Sequence, residues 1–114
     1  ERVSPPTLKR NKVNGIKCLQ VKQGDTFYGL SKKAGLTIAE LKYLNDMSED
    51  HVLQVGEYLF LEPKKKKNKE HDGHYVREGD TWYSISQLYG IRKANLMKMN
   101  SKHWMIYEKP LKNT

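Results

Sequence analysis

The chain has a single cysteine, Cys18, among 114 residues, so no disulfide can form within it and its units must hold together by packing. Cys18 stands in the run Ile16-Lys17-Cys18-Leu19, where a small buried or half-buried strand residue is expected rather than a nucleophile. No apolar stretch approaches the roughly 20 residues that a membrane-spanning helix needs, and no charged-then-apolar leader opens the sequence. Apolar residues are scarce, at 37% of the chain against 30% charged, which argues against one large core and for small compact units. Catalytic signatures are missing as well: there is no Gly-x-Ser-x-Gly elbow, no phosphate loop and no His-Glu-x-x-His helix. His51, His71, His74 and His103 have no metal-ligand spacing, so neither a metal nor another cofactor is expected. Asp25 and Asp80 read as helix-capping residues, and Glu40, Glu49 and Glu57 as members of small exposed surfaces. Two small units offer no deep cleft for a carboxylate pair, so no catalytic residue is expected.

Acidic residues are outnumbered, 13 against 21 basic, and the net charge is +8. Such a balance suits nucleic acid, a membrane surface or an acidic polymer, and charge alone does not choose among them.

What the sequence does have is a repeat. Val21-Lys22-Gln23-Gly24-Asp25-Thr26-Phe27-Tyr28 recurs as Val76-Arg77-Glu78-Gly79-Asp80-Thr81-Trp82-Tyr83, an offset of 55. The register continues without a gap through Ser31/Ser86, Gly35/Gly90, Ala39/Ala94, Leu41/Leu96 and Asn45/Asn100, and nine of 22 aligned positions from Gly24 are identical. In each copy a β-branched run leads into Gly-Asp-Thr, a glycine suited to positive φ followed by two N-cap residue types. Phe27, Leu30 and Ala34, like Trp82, Ile85 and Tyr89, fall at helical spacing, and Gly35 and Gly90 suit the stop of that helix. Thr37-Ile38-Ala39-Glu40 is a capping box for a second helix, which Leu41 and Leu44 carry on to Asn45. The second copy has Arg92 in place of Thr37, so its second helix is expected to start less sharply.

Tyr58-Leu59-Phe60-Leu61, introduced by Val55-Gly56-Glu57, reads as the closing strand of copy one. The expected fold class is α+β: two β-α-α-β repeats, each with two helices packed on a two-stranded antiparallel sheet. Asn14-Gly15 between apolar residues predicts a hairpin, adding an N-terminal strand from about Leu8 to Val13 to repeat 1. Copy two shows no matching Gly-x-x-Leu-x-Leu before Thr114, so repeat 2 is expected to lack its closing strand, Trp104-Met105-Ile106-Tyr107 being the alternative. The predicted division is 1–15 linker end and hairpin strand, 16–62 repeat 1, 63–73 Lys-rich linker and 74–114 repeat 2. Like charges from Lys64 to Lys67 should keep the linker solvated and extended, although the same lysines could bind phosphate or an anionic polymer.

Val-x-x-Gly-Asp-Thr-aromatic, a helix bearing Leu/Ile-Ser, a glycine stop, Ala-x-Leu and a closing Asn, all twice, resemble the LysM (lysin motif) family over about residues 17 to 61 and 74 to 114. The resemblance implies modules that bind N-acetylglucosamine-containing glycans, peptidoglycan or chitin, in a shallow groove. Carried over, one wall in copy one is Gly24, Asp25, Thr26 and Phe27, facing Asp46, Met47, Val52 and Leu53. In copy two the first wall is Gly79, Asp80, Thr81 and Trp82, and the second, near Ser101 to Met105, departs from copy one. Phe27 and Trp82 are expected in the core at the groove edge, with Tyr28 and Tyr83 reaching solvent; Trp104 could be a platform or a packing residue.

The tandem after Ser4-Pro5-Pro6 resembles the wall-targeting part of a secreted glucosaminidase- or muramidase-type hydrolase. Because the chain starts at Glu1, it is expected to be a monomeric piece of a larger extracellular or cell-envelope protein with a signal peptide upstream. No nucleic acid and no membrane insertion are expected. The competing readings are a nucleic-acid or anionic-polymer binder, whose affinity would fall steeply with salt, and a protein-interaction module indifferent to groove mutations.

Overall fold

A computed structural model describes residues 11–71 and 73–99 and the backbone of Met105–Tyr107. In chain order the elements are β1 (Lys12–Val13), β2 (Ile16–Gln20), α1 (Phe27–Ala34), α2 (Ile38–Leu44), β3 (Tyr58–Phe60), β4 (Gly73–Tyr75), α3 (Trp82–Tyr89), α4 (Lys93–Lys98) and β5 (Met105–Tyr107). The architecture is the α+β class read from the sequence.

Repeat 1 is built around a three-stranded antiparallel sheet in the order β1-β2-β3. Asn14 (φ 56°) and Gly15 (φ 76°) both take left-handed backbone, as a two-residue hairpin turn requires, and this sets Lys12 opposite Lys17 and Val13 opposite Ile16. Leu8 to Arg10 of the expected strand, and Ser4-Pro5-Pro6, lie outside the described residues. β2 then pairs with β3 in the register Cys18–Phe60, Leu19–Leu59 and Gln20–Tyr58.

The helix boundaries follow local chemistry. Thr26 and Thr81 cap α1 and α3 by accepting from Gly29 N and Ser84 N, both at 3.0 Å. Thr37 and Glu40 bond reciprocally at 2.9 and 3.0 Å to start α2, whereas Arg92 makes no side-chain cap for α4, as its residue type foretold. Gly35 (φ 74°) and Gly90 (φ 68°) end α1 and α3 in left-handed backbone.

Because side chains alternate across a strand, β2 divides its apolar residues between both faces of the sheet. Val21, just past the end of β2, and Leu59 of β3 pack with Leu30 and Leu41 of the helices, with Leu19 at the edge of this cluster. Ile16 and Cys18 join Val13 and Phe60 in a second cluster on the other face. That face would meet water in a lone β-α-α-β unit, but Phe60 is wholly buried. The cover is the second repeat with the segment before it.

Two expectations are corrected here. The segment 63–73 is not a solvated tether throughout. Lys64 is only 3% exposed, Asn68 is buried, and Lys65 bridges Ile91, donating from its N to Gly90 O and accepting from Arg92 N. A lysine run can pack because the one lysine that turns inward meets a carboxylate and two neutral acceptors, while Lys65, Lys66 and Lys67 stay exposed.

The other correction concerns the closing strand of repeat 2. β5 supplies it, in parallel register with β4: Gly73–Met105, His74–Ile106 and Tyr75–Tyr107. The α2-to-β3 connection spans residues 45–57, but α4 reaches β5 through 99–104 alone. The two helices supply the long crossover that a parallel pair requires.

Candidate functional site

The Gly-Asp-Thr loop has the same construction in both copies. Asp25 Oδ2 accepts from Lys22 N at 2.7 Å and Asp25 N donates back to Lys22 O at 3.0 Å; Asp80 does the same with Arg77 at 2.8 and 3.0 Å. Gly24 (φ 90°) and Gly79 (φ 92°) supply the left-handed residue at the tip. The aspartates are therefore loop-closing residues and the threonines the caps, a refinement of the sequence reading, which gave capping to the aspartates.

In repeat 1 three of the expected groove residues, Phe27, Met47 and Leu53, lie against one core cluster. Phe27 is half-buried and, like Met47 and Leu53, packs against the buried cluster of Val21, Leu30, Leu41 and Leu59. His51 meets the Phe27 ring edge-on at 6.3 Å, and Lys42 Nζ lies 4.8 Å from its centroid. Gly24 and Thr26 are exposed on one rim, and Val52, 70% exposed, stands on the loop that carries the other wall. Apolar side chains at the edge of the core thus accompany an exposed loop that offers backbone groups and one hydroxyl. Such a surface can hold a small apolar group and offer donors and acceptors beside it.

Asp46 does not join this group. Its Oδ2 accepts from Lys93 N at 2.9 Å and pairs with Lys64 Nζ at 2.8 Å, both in the contact between repeats. Burial lowers the Lys64 pKa, and the bond and charge of Asp46 restore it only in part.

In repeat 2, Gly79, Asp80 and Thr81 form the equivalent loop and Trp82 is buried in the core with Ile85, Ile91 and Leu96. Of the opposite wall, expected near Ser101 to Met105, all but the backbone of Met105 lies outside the described residues. Sequence reasoning passed over His74, whose Nε2 is 2.9 Å from Asp80 Oδ2 and whose Nδ1 is 2.7 Å from the Tyr89 hydroxyl. Burial alone would raise the Asp80 pKa, but the bonds from His74 and Arg77 N outweigh it and hold the carboxyl below its ordinary value. The signal was available, since the repeat offset sets His74 against Leu19, a polar residue where copy one has a core one.

Tyr83 also departs from expectation. It was expected to reach solvent like Tyr28, yet it is half-buried, with its hydroxyl donating to Glu57 Oε1 at 2.7 Å and its ring 5.1 Å from His51. Burial first, and then the Glu57 carboxylate, push its pKa well above the usual phenol range. Glu57 in turn is no exposed acid. It also accepts from Gln54 N and lies 3.0 Å from His51 Nε2. Repeat 2 thus presses on the loop that carries His51, Val52 and Leu53.

A family model described as the LysM domain matches residues 19–61 and 74–103, more than half of the chain and once per repeat. The chain belongs to the LysM domain family. Among curated proteins it is similar to the Probable peptidoglycan endopeptidase LytE of Bacillus subtilis, 32% identical over 72% of this chain and 26% of that protein. It is also similar to the Cell wall-binding protein YocH of Bacillus subtilis, 31% identical over 73% of this chain and 28% of that protein. The N-acetylmuramoyl-L-alanine amidase sle1 of Staphylococcus aureus is 28% identical over 76% of this chain and 29% of its own length. The LysM chain thus spans between 26% and 29% of the length of these relatives. Among solved structures, the spore cortex-lytic enzyme SleL of Bacillus cereus matches 73% of this chain and 18% of its own, at 34% identity and a TM-score of 0.37.

Proposed function

We propose that the two LysM repeats bind the N-acetylglucosamine-containing glycan of peptidoglycan and thereby hold a larger protein at the bacterial cell wall. The observation that supports this reading lies in repeat 1: Phe27, Met47 and Leu53 pack against one core cluster, which we take as the apolar floor of a groove bordered by the Gly24-Asp25-Thr26 loop. An N-acetyl sugar presents a methyl group and an amide side by side, which is what such a floor and rim can accept. The names of the relatives, a cell wall-binding protein and two wall-lytic enzymes, support the same polymer.

The chain itself acts as a binding part and not as a catalyst. Asp25 and Asp80 are held by their loops and Glu57 is bound on three sides, which suits structural roles for these carboxylates. The catalytic work belongs to the rest of the larger protein, a wall hydrolase, and the chain works outside the membrane as a single copy. No helix among the described residues is long and apolar enough to cross a membrane.

Retention on insoluble peptidoglycan tests the proposal. Binding should survive high salt, compete with chito-oligosaccharide, and fall at least tenfold in Phe27→Ala and Thr26→Val. Binding that vanishes with salt and ignores the sugar would refute it. Competition by the chitin-type oligomer also measures how far the groove depends on the peptide and muramyl parts of the wall.

A further inference from the structure

We propose a second binding site on this chain, for a phosphodiester polymer, in the cavity between the β1–β2 turn and the segment that joins the repeats. The cavity has a volume of about 530 Å³ and is lined by Asn14, Gly15, Lys65, Lys66, Lys67, Lys69 and Glu70. Four lysines and a single acidic residue are thus among the residues that line it.

Such a cluster is not what a free lysine run would adopt, because like charges on a flexible chain move apart. Here the backbone forbids it. Lys64 is anchored inward by Asp46 at 2.8 Å, by Gln87 Oε1 at 2.7 Å and by Ser86 Oγ at 3.1 Å. Lys65 is held between Gly90 O and Arg92 N, and Asn68 Nδ2 donates to Tyr89 O at 2.9 Å. Asn14 Nδ2 ties the hairpin turn across the cavity to Lys67 O at 3.0 Å. The exposed lysines between these anchors are therefore displayed together, at an electrostatic cost that a bound polyanion relieves.

The lining also selects among polyanions. It has no arginine, so it offers rotatable point charges in place of a planar fork that fixes one anion in a bidentate geometry, which suits a flexible polymer of repeated charges. It has no aromatic residue, so it provides no platform on which a nucleic-acid base could stack. Closely spaced phosphates on a flexible, base-free backbone fit best. If the chain works at the wall, as proposed above, this site adds a salt-sensitive contact to a salt-resistant one.

The test uses the full chain, fluorescently labelled poly(glycerol phosphate) and two triple variants of equal net charge. Lys66→Gln/Lys67→Gln/Lys69→Gln should weaken binding at low salt at least tenfold and lower the log–log salt slope by about two to three units. Lys32→Gln/Lys33→Gln/Lys98→Gln, elsewhere on the surface, should change affinity less than twofold. Lys66→Glu alone, which leaves every anchor in place, should lose threefold or more. Equal losses in both triple variants, or no binding by the unaltered chain, would overturn the proposal, as would tighter binding of oligodeoxythymidylate. Peptidoglycan stripped of phosphate polymers should retain the cavity variants like the unaltered chain, so failure of the glycan groove and failure of this site read out separately. Loss of that retention in the cavity variants would show that no separate site exists.

Discussion

Helices α1 and α3 occupy equivalent places in the two repeats, begin after the same Gly-Asp-Thr loop and end on the same glycine. They nevertheless meet different surroundings. Tyr28 and Lys32 of α1 are exposed, the tyrosine at 63%. Their counterparts on α3 face repeat 1: Tyr83 bonds to Glu57, and Gln87 Nε2 donates to Asn45 Oδ1 at 3.1 Å and to Tyr58 O at 2.7 Å. Asn45 is fully buried, and its amide also bonds Leu41 O, Phe60 O and Phe60 N, so the closing asparagine of repeat 1 is part of the seam. One helix uses its outer face as surface and the other as an interface. A repeated sequence therefore need not mean repeated environments, and the differences between copies show where the copies meet.

That comparison can be broken residue by residue, and the largest effect belongs to the glycines. A Cβ on Gly35 would meet nothing within 4 Å, whereas one on Gly90 would lie 2.9 Å from Asn14 Cβ and 3.2 Å from Val13 O. Gly35→Ala should cost about 1 kcal/mol, the left-handed penalty. Gly90→Ala should cost about 3 kcal/mol, since the steric conflict adds to it, as read by urea unfolding. Next come the residues three before those glycines. Gln87→Ala should lose about 2 kcal/mol by leaving buried partners unsatisfied, while Lys32→Ala should stay within about 0.5 kcal/mol.

Tyr83→Phe should lose about 1 kcal/mol through one hydrogen bond to a carboxylate, and Tyr28→Phe nothing measurable. Tyr83 also carries a pH signature. Its folded pKa lies above the unfolded value of 10.0, so its contribution is complete below that pH and declines as the pH rises further. The smallest effect concerns Asp80, whose folded pKa lies below 3.8. Its contribution is present above that value and is lost as pH falls through the folded one. His74→Leu, which makes repeat 2 like repeat 1 at this position, should raise the Asp80 pKa in a carboxyl-detected NMR titration.

Much of the fold was legible because it is local. The Asn14-Gly15 turn, the Thr37/Glu40 box, the glycine stops and the unprotected start at Arg92 are each set by a few neighbouring residues. Of the expected groove residues, Phe27, Met47 and Leu53 pack against one core cluster, whereas Asp46 belongs to the contact between repeats. What escaped was the contact between repeats, which depends on residues far apart in sequence. Lys64 looked like one solvated lysine among several because its partners are Asp46, Ser86 and Gln87. A clue was present nonetheless. Ile16, Cys18 and Phe60 are apolar on the face opposite Leu19, Val21 and Leu59, and a sheet apolar on both faces needs cover on both.

The account rests on the two LysM repeats forming one body, seamed by Gln87, Asn45, Tyr83 and Lys64. Residual dipolar couplings measured over the backbone amides of both repeats test this directly. The account predicts that one alignment tensor fits residues 16–61 and 73–98 together, with Gln87→Ala loosening the fit. Two distinct tensors in the unaltered chain would contradict it and return the repeats to independent beads on a Lys-rich tether.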